Sequence, residues 1–144
     1  MRRSTTVLAM FVFCTGSSAL FGLTLRHLEY SATIRDAKLR VIGFATIVPS
    51  PDNSASEVTV QLKGDKVGTV RPWRVRSGTC AKPGNIWGKP DAYKSLTANK
   101  AGVSRRKAEI AMQLPDTGDY HISIQMPTSK SDKVFACSDF YLED

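Results

Sequence analysis

The residues able to do chemistry in this chain are few, and their scarcity narrows the choices. There are two histidines, His27 and His121, and three cysteines, Cys14, Cys80 and Cys137. Imidazole and thiolate are the usual ligands of transition metals, so this set leaves little room for a multi-ligand site. Ser123, His121 and Asp119 provide the residue types of a nucleophilic triad. They do not provide its geometry. Neighbours alternate faces on a strand, and Ser123 and His121, which share a face, stand about 7 Å apart, too far for a nucleophile–base bond. No nucleophile elbow or oxyanion loop accompanies them, so hydrolase chemistry is not expected. The basic run Ser104-Arg105-Arg106-Lys107 can touch an acidic polymer or a lipid surface, although a solvated strand start is its plainer reading. No nucleic-acid-binding motif is present.

Cysteine usage points to a compartment. Arg2 and Arg3 open the chain, Ser4 to Leu25 carries no charge, and the apolar run Val7 to Phe13 leads into Thr15-Gly16-Ser17-Ser18-Ala19. A basic start, an apolar stretch and small residues at the cut describe a secretory signal peptide, with cleavage expected after Ala19. The alternative is an uncleaved anchor, because Leu20, Phe21, Leu23 and Leu25 prolong the apolar stretch. Both place the remainder outside the cytoplasm, in the periplasm or beyond the cell. Cys14 follows bulky Phe13 and does not look like a lipid-attachment site. Removing the leader leaves Cys80 and Cys137, an even pair in an oxidising compartment, which suggests one disulfide rather than two buried thiols. It would close 57 residues, a constraint of roughly 4 kcal/mol. Cutting after Ala19 also removes Arg2 and Arg3, taking the formal charge from +7 to +5. That balance weakly favours anionic envelope ligands and is also ordinary for an exported protein.

The elements that must hold these residues read as strands. At 144 residues, 42% hydrophobic and 23% charged, the chain suits one globular domain and not a disordered one. The expected division is a signal peptide or anchor at 1–19, a tether at 20–31 and a domain at 32–144. Leu39–Val48 is rich in β-branched residues and ends in the turn cluster Pro49–Ser54. Val58, Val60 and Leu62 alternate with polar residues up to Gly64-Asp65. Val70–Arg76 places Trp73 and Val75 on one face and Arg74 and Arg76 on the other. Ser77 to about Gly102 reads as a long irregular loop with Pro83, Gly84, Gly88 and Pro90, pinned by Cys80. Trp73 is expected in the core, Trp87 as a plug or surface feature of the loop, and Tyr93 as packing it down. Ala108, Ile110, Met112 and Leu114 alternate, as do Tyr120, Ile122, Ile124 and Met126. Lys133–Cys137 is a last short strand. Short alternating strands without an amphipathic helix predict an all-β antiparallel sandwich or flattened barrel.

Three segments carry a resemblance. Pro72-Trp73-Arg74-Val75-Arg76-Ser77-Gly78-Thr79-Cys80, then Tyr120-His121-Ile122-Ser123-Ile124-Gln125, then Ala136-Cys137-Ser138-Asp139 resemble the copper/zinc superoxide dismutase superfamily, in its small bacterial form. There a His-Val-His strand leads to Gly-Thr-Cys, a later strand reads Tyr-x-Val-Asn-Val-His, and the end reads Ala-Cys-Gly-Asp. The similarity runs from about Leu39 to Asp139, with Gly64 where a glycine precedes the turn into the first motif. It implies a Greek-key sandwich in which Cys80 and Cys137 are the intrasubunit disulfide.

The departures from that pattern decide what the resemblance implies about function. Arg74 and Arg76 stand where the family has two copper-ligating histidines, and Gln125 stands where it has a third. The zinc-ligand loop should fall within 77–102, where there is no histidine and Asp91 is the sole carboxylate. A guanidinium keeps its proton and offers a metal no lone pair. The expectation is therefore a non-enzyme with no metal and no cofactor. If the family's sheet order holds, Arg74, Arg76 and Gln125, with Ser123 beside them, share one face at the vestigial copper site. Paired guanidinium forks suit oxyanions, which makes this face a candidate anion site. The plainer reading leaves the arginines solvated or paired with carboxylates such as Asp91 or Asp139. The expected role is a binding or structural module of the cell envelope, whose partner is a protein or an anionic ligand. Membrane attachment would come only through the N-terminal anchor. The alternatives are a dismutase with differently placed ligands, or a regulator that binds an active dismutase.

Overall fold

A computed structural model of the chain describes residues 28–114, 118–127 and 133–143. The expected leader or anchor, Cys14 and His27 lie outside them. The described chain is all-β apart from one short 3-10 turn at Pro90–Ala92. No helix among the described residues is long and apolar enough to cross a membrane.

Two antiparallel sheets carry the fold. The first contains β1 (Glu29–Arg35), β2 (Val41–Pro49), β3 (Ser56–Lys63), β8 (Val103–Ile110) and β11 (Tyr141–Glu143), in the order β11-β1-β2-β3-β8. The second contains β5 (Trp73–Gly78), β6 (Pro83–Ile86), β9 (Tyr120–Gln125) and β10 (Val134–Asp139), in the order β10-β9-β5-β6. A short ribbon pairs β4 (Val70–Arg71) with β7 (Leu96–Thr97). The chain passes between sheets at Phe140, whose N–H donates to the Tyr120 carbonyl at 2.8 Å. There the Ser138 hydroxyl donates to the Thr33 carbonyl at 2.7 Å, joining β10 to β1.

Period-two alternation explains the core. Ile34, Ile47, Val58, Val60 and Leu62 of the first sheet are buried with Trp73, Val75, Ile122 and Ile124 of the second. Each fully buried side chain of this size contributes roughly 1.5–3 kcal/mol by leaving water. Turn chemistry sets the registers. Between β1 and β2 the Asp36 carboxylate accepts the backbone N–H groups of Lys38 and Arg40 at 2.8 and 3.0 Å. Between β2 and β3 the Asp52 carboxylate accepts the Ser50 hydroxyl and the Ser54 backbone and hydroxyl. These local bonds give Asp and Ser their turn preference.

The structure departs from the expected strands at five places. β1 begins at Glu29, so the tether expected to run to Ser31 already pairs with β2, Ser31 lying opposite Thr46. The expected strand Val70–Arg76 is two strands, broken at Pro72, which has no N–H to continue a ladder. The region 77–102 is not structureless, since it contains β6, the 3-10 turn and β7. β8 starts at Val103 and ends at Ile110, leaving Met112 exposed and Leu114 buried beyond it. β11 follows β10 where no strand was expected.

The long connection is held down as its cysteine suggested. Cys80 and Cys137 form a disulfide with an S–S distance of 2.01 Å and Cα atoms 5.9 Å apart. Trp73 is in the core and donates its indole N–H to the Lys94 carbonyl at 2.8 Å. Tyr93 packs edge-on against Trp73 at 5.0 Å, and its hydroxyl donates to the Trp87 carbonyl. Trp87 is buried and lies against Tyr120, ring centroids 5.4 Å apart.

Candidate polar face of the four-stranded sheet

Every residue of β9 is buried, yet only alternate ones are apolar. Tyr120, Ile122 and Ile124 face the core with Trp73 and Val75. His121, Ser123 and Gln125 alternate onto the opposite face. A strand of an antiparallel sheet commonly leaves its polar face to solvent. Here something covers it, and the residues beneath are hydrogen-bonding groups.

The register defines the polar face. Arg76, His121 and Asp139 lie in one cross-strand row, and Arg74, Ser123 and Cys137 in the next. Gln125 occupies the third row, opposite Val134, and its backbone N–H donates to the Pro72 carbonyl at 2.9 Å. Strands β5 and β9 are therefore neighbours, and Arg74, Arg76, Gln125 and Ser123 do share one face. The last two are 9% and 6% exposed, and the arginines are half-buried.

The part of the cover that the contacts identify is the β5–β6 connection, from Gly78 at the end of β5 to Gly84 in β6. The His121 ring nitrogen Nδ1 donates to the Gly78 carbonyl at 2.9 Å. The Cys80 backbone N–H donates to Asp139 Oδ1 at 2.7 Å, alongside the disulfide to Cys137. Arg76 Nη1 donates to the Gly84 carbonyl at 3.2 Å. Gly78 permits the path. Its φ is +78°, and a Cβ there would stand 2.3 Å from the Lys82 carbonyl oxygen. Three tethers and one covalent bond thus fasten the loop over the sheet.

The arginines do not find the carboxylates suggested for them. Asp139 is used by the Cys80 backbone, and Asp91 lies on the 3-10 turn beside Lys89, Glu109 and Ala92, around another cavity. Neither Arg74 nor Arg76 forms an ion pair among the described residues. Arg74 makes no side-chain hydrogen bond there, and Arg76 commits one of its N–H groups to a backbone carbonyl. The face presents charged donors in excess of acceptors.

Copper or zinc does not fit this donor set. The three positions that the resemblance equates with copper ligands hold two guanidinium groups and an amide. Adjacent fixed cations repel a metal ion. His121 sits beside Arg76 with Nδ1 already turned to Gly78, and Cys80 and Cys137 are bonded to each other. An oxyanion does fit: it can take paired N–H groups from a guanidinium fork in charge-assisted bonds.

Two parts of this arrangement were missed at the sequence level. His121 appeared as a strand histidine of no assigned partner, and it ties down the cover. Asp139 appeared as a partner for the arginines, and it holds the Cys80 backbone instead. The Gly-Thr-Cys spacing gives no sign of which carbonyl or N–H the loop will offer. No protein-family model matches this chain, and no curated protein matches it.

Proposed function

We propose that the protein is an exported, metal-free domain of the superoxide dismutase-like kind, acting as a non-catalytic binding or structural module of the cell envelope. Its binding site is the polar face of β5 and β9, where Arg74, Arg76 and Gln125, with Ser123, receive an anion. The observation that carries this reading is the pair of half-buried arginines left without a carboxylate among the described residues on a covered sheet face. Burial of charge without a counter-charge is costly, so such a pair favours an anionic occupant.

The kinship rests on the order and spacing of the three motifs. The disulfide and the pairing of β5 with β9 support it, as does a sheet arrangement compatible with a Greek-key sandwich. The disulfide also supports an oxidising compartment, periplasmic or extracellular. A role without catalysis follows from the donor chemistry, which gives neither a redox metal nor an activated nucleophile a place.

The test is calorimetric titration of the disulfide-bonded protein with phosphate, sulfate and acetate, beside the Arg74→Ala/Arg76→Ala variant. Saturable binding of one of these anions is expected, weakened roughly a hundredfold in the variant as two charge-assisted contacts are lost. Equal, weak binding by both proteins refutes the anion site. Metal analysis of the purified protein tests the wider reading: about one copper or zinc per chain together with superoxide consumption overturns it.

A further inference from the structure

The outer face of the five-stranded sheet, turned away from the core, carries its charge in a segregated pattern. Cross-strand registers resolve that face into rows. At the end nearest the β2–β3 turn, Glu29 lies opposite Glu143 and Glu57 opposite Glu109. At the other end, nearest the β1–β2 turn, Arg35 lies opposite Val41 and Lys63 opposite Val103. Two rows run between them. One passes from Ser31 through Thr46 and Thr59 to Lys107, the other from Thr33 through Phe44 and Gln61 to Arg105.

This pattern is unfavourable in a chain standing alone. Like charges directly opposite on neighbouring strands repel. Lys107 relieves Glu57 at 2.7 Å. Glu29, Glu109 and Glu143 form no ion pair among the described residues, and neither do Arg35, Lys63 and Arg105. Phe44 lies between the acidic and the basic end and is 54% exposed.

The arrangement of charge identifies the occupant. A polyanion or an anionic membrane attracted to one end of this face is repelled by the other. A second copy of the chain is matched at both ends. A two-fold axis running across the strands, between the two central rows, lays the acidic end of each copy over the basic end of the other. Lys63 then faces the Glu57–Glu109 pair, Arg35 faces the Glu29–Glu143 pair, and the two Phe44 rings meet beside the axis. The like charges of Arg105 and Lys107 meet only at the β8 edge, where solvent screens them and Glu57 already neutralises Lys107. By strand spacing and residue rise the face covers roughly 600 Å². Two such faces together bury about 1,200 Å², the lower bound of a specific interface. We propose that the protein self-associates as a two-fold dimer through this face, held by the complementary charged ends and centred on Phe44. The inference does not rest on the anion site at Arg74 and Arg76, which belongs to the other sheet.

The test is sedimentation equilibrium of the purified disulfide-bonded protein at low and at high ionic strength. A dimer is expected, weakened about tenfold by salt as its end-to-end charge pairs are screened. Lys63→Glu and Glu109→Lys each reverse one exposed charge that holds no ion pair among the described residues, so both variants keep the fold. Each alone is expected to weaken the dimer by about tenfold or more. An equimolar mixture of the two variants is expected to recover it as a heterodimer. There the two reversed charges face each other in one half of the interface, and the native pair remains in the other half. A protein monomeric at every concentration overturns the proposal, and so does a dimer indifferent to both variants or a mixture that does not recover. A monomer that binds dextran sulfate through Lys63 overturns it in favour of a polyanion. None of these substitutions touches β5 or β9, so failure here leaves the polar-face reading standing, and the converse holds.

Discussion

Replacing both disulfide cysteines by serine tests whether the cover over the polar face is held by the covalent bond or by its hydrogen bonds. The bond closes a loop of 57 residues. On the chain-entropy model such closure restricts the unfolded chain by about 4 kcal/mol at room temperature. In the folded state three contacts act on the same segment: His121 to the Gly78 carbonyl, the Cys80 N–H to Asp139, and Arg76 to the Gly84 carbonyl. Each contributes about 1 kcal/mol net, and more where a charge is involved. Together they suffice to keep the cover seated once the rest of the sandwich is folded. The expected result of Cys80→Ser/Cys137→Ser is therefore a large global loss with little local change. Urea unfolding should show a drop of about 4 kcal/mol, a substantial share of the 5–15 kcal/mol typical of a domain. Amide hydrogen exchange under native conditions should leave the N–H groups of His121 and Ser123 as protected, relative to the new global stability, as in the parent. A loss below about 1 kcal/mol would refute the loop-closure argument. Selective deprotection of the 78–84 segment and β9, with the global stability accounted for, would refute the claim that the hydrogen bonds hold the cover.

Three further outcomes are expected. Ile122→Ala removes a fully buried side chain from the core face of β9 and should cost about 2–5 kcal/mol in chemical denaturation, the range for such cavities. Tyr93→Phe removes the hydroxyl that bonds the Trp87 carbonyl and should cost about 1–3 kcal/mol by orphaning that acceptor, measured in the same way; burial also raises the Tyr93 phenol, so ultraviolet titration should show it ionising only above the ordinary tyrosine range. Asp52 is held down to about 2 by the Ser50 hydroxyl and by the backbone and hydroxyl of Ser54. A carboxyl depressed in the folded state stabilises fully above its unfolded value of 3.8, and that stabilisation is lost as pH falls through about 2. Carbon-detected NMR titration should give a midpoint near 2, moving up toward the ordinary value in Ser50→Ala, and an unmoved midpoint would show the hydroxyl to be irrelevant.

Alternation was the part of the fold most legible in the sequence. It placed Trp73 and Val75 opposite Arg74 and Arg76, and Val58, Val60 and Leu62 in the core, because a half-buried strand must repeat every second residue. Turn residues marked Pro49–Ser54 and Gly64-Asp65 for the same local reason. The missed elements depend on partners far along the chain. β6 and β7 are short and have no pattern of their own; they are strands because β5 and β4 offer them an edge. Every residue of β11 is on the exposed side, and the strand exists through its pairing with β1. The neighbouring of β5 and β9 was legible only through motif order, and the ties of His121 and Asp139 not at all, since a backbone carbonyl or N–H carries no residue identity. The burial of Arg71, paired with Asp65 and stacked on Phe135, was missed for a similar reason. Asp65 is six positions earlier, within a stretch that reads as an ordinary turn, and Phe135 is remote.

The two faces of β9 answer to different constraints. Ile122 and Ile124 set the stability of the strand through the core, while Ser123 and Gln125 contribute nothing to that packing. Residues of the outer face are constrained instead by the cover, which constrains them unequally. His121 and Asp139 fasten it and are fixed by its backbone; Arg76 fastens it through one nitrogen; Arg74 fastens nothing. Side chains that serve the cover are therefore structural, and a site must be sought among those that do not. That criterion isolates Arg74 with the uncommitted edge of Arg76. It also orders their effects. Arg74→Ala should leave unfolding within about 0.5 kcal/mol of the parent, as for substitutions away from any structural contact, while reducing anion binding. Arg76→Ala should lower both, since the Gly84 carbonyl loses its donor. Paired denaturation and titration of the two single variants separates these roles, and equal behaviour of the two arginines in both measurements would refute the division.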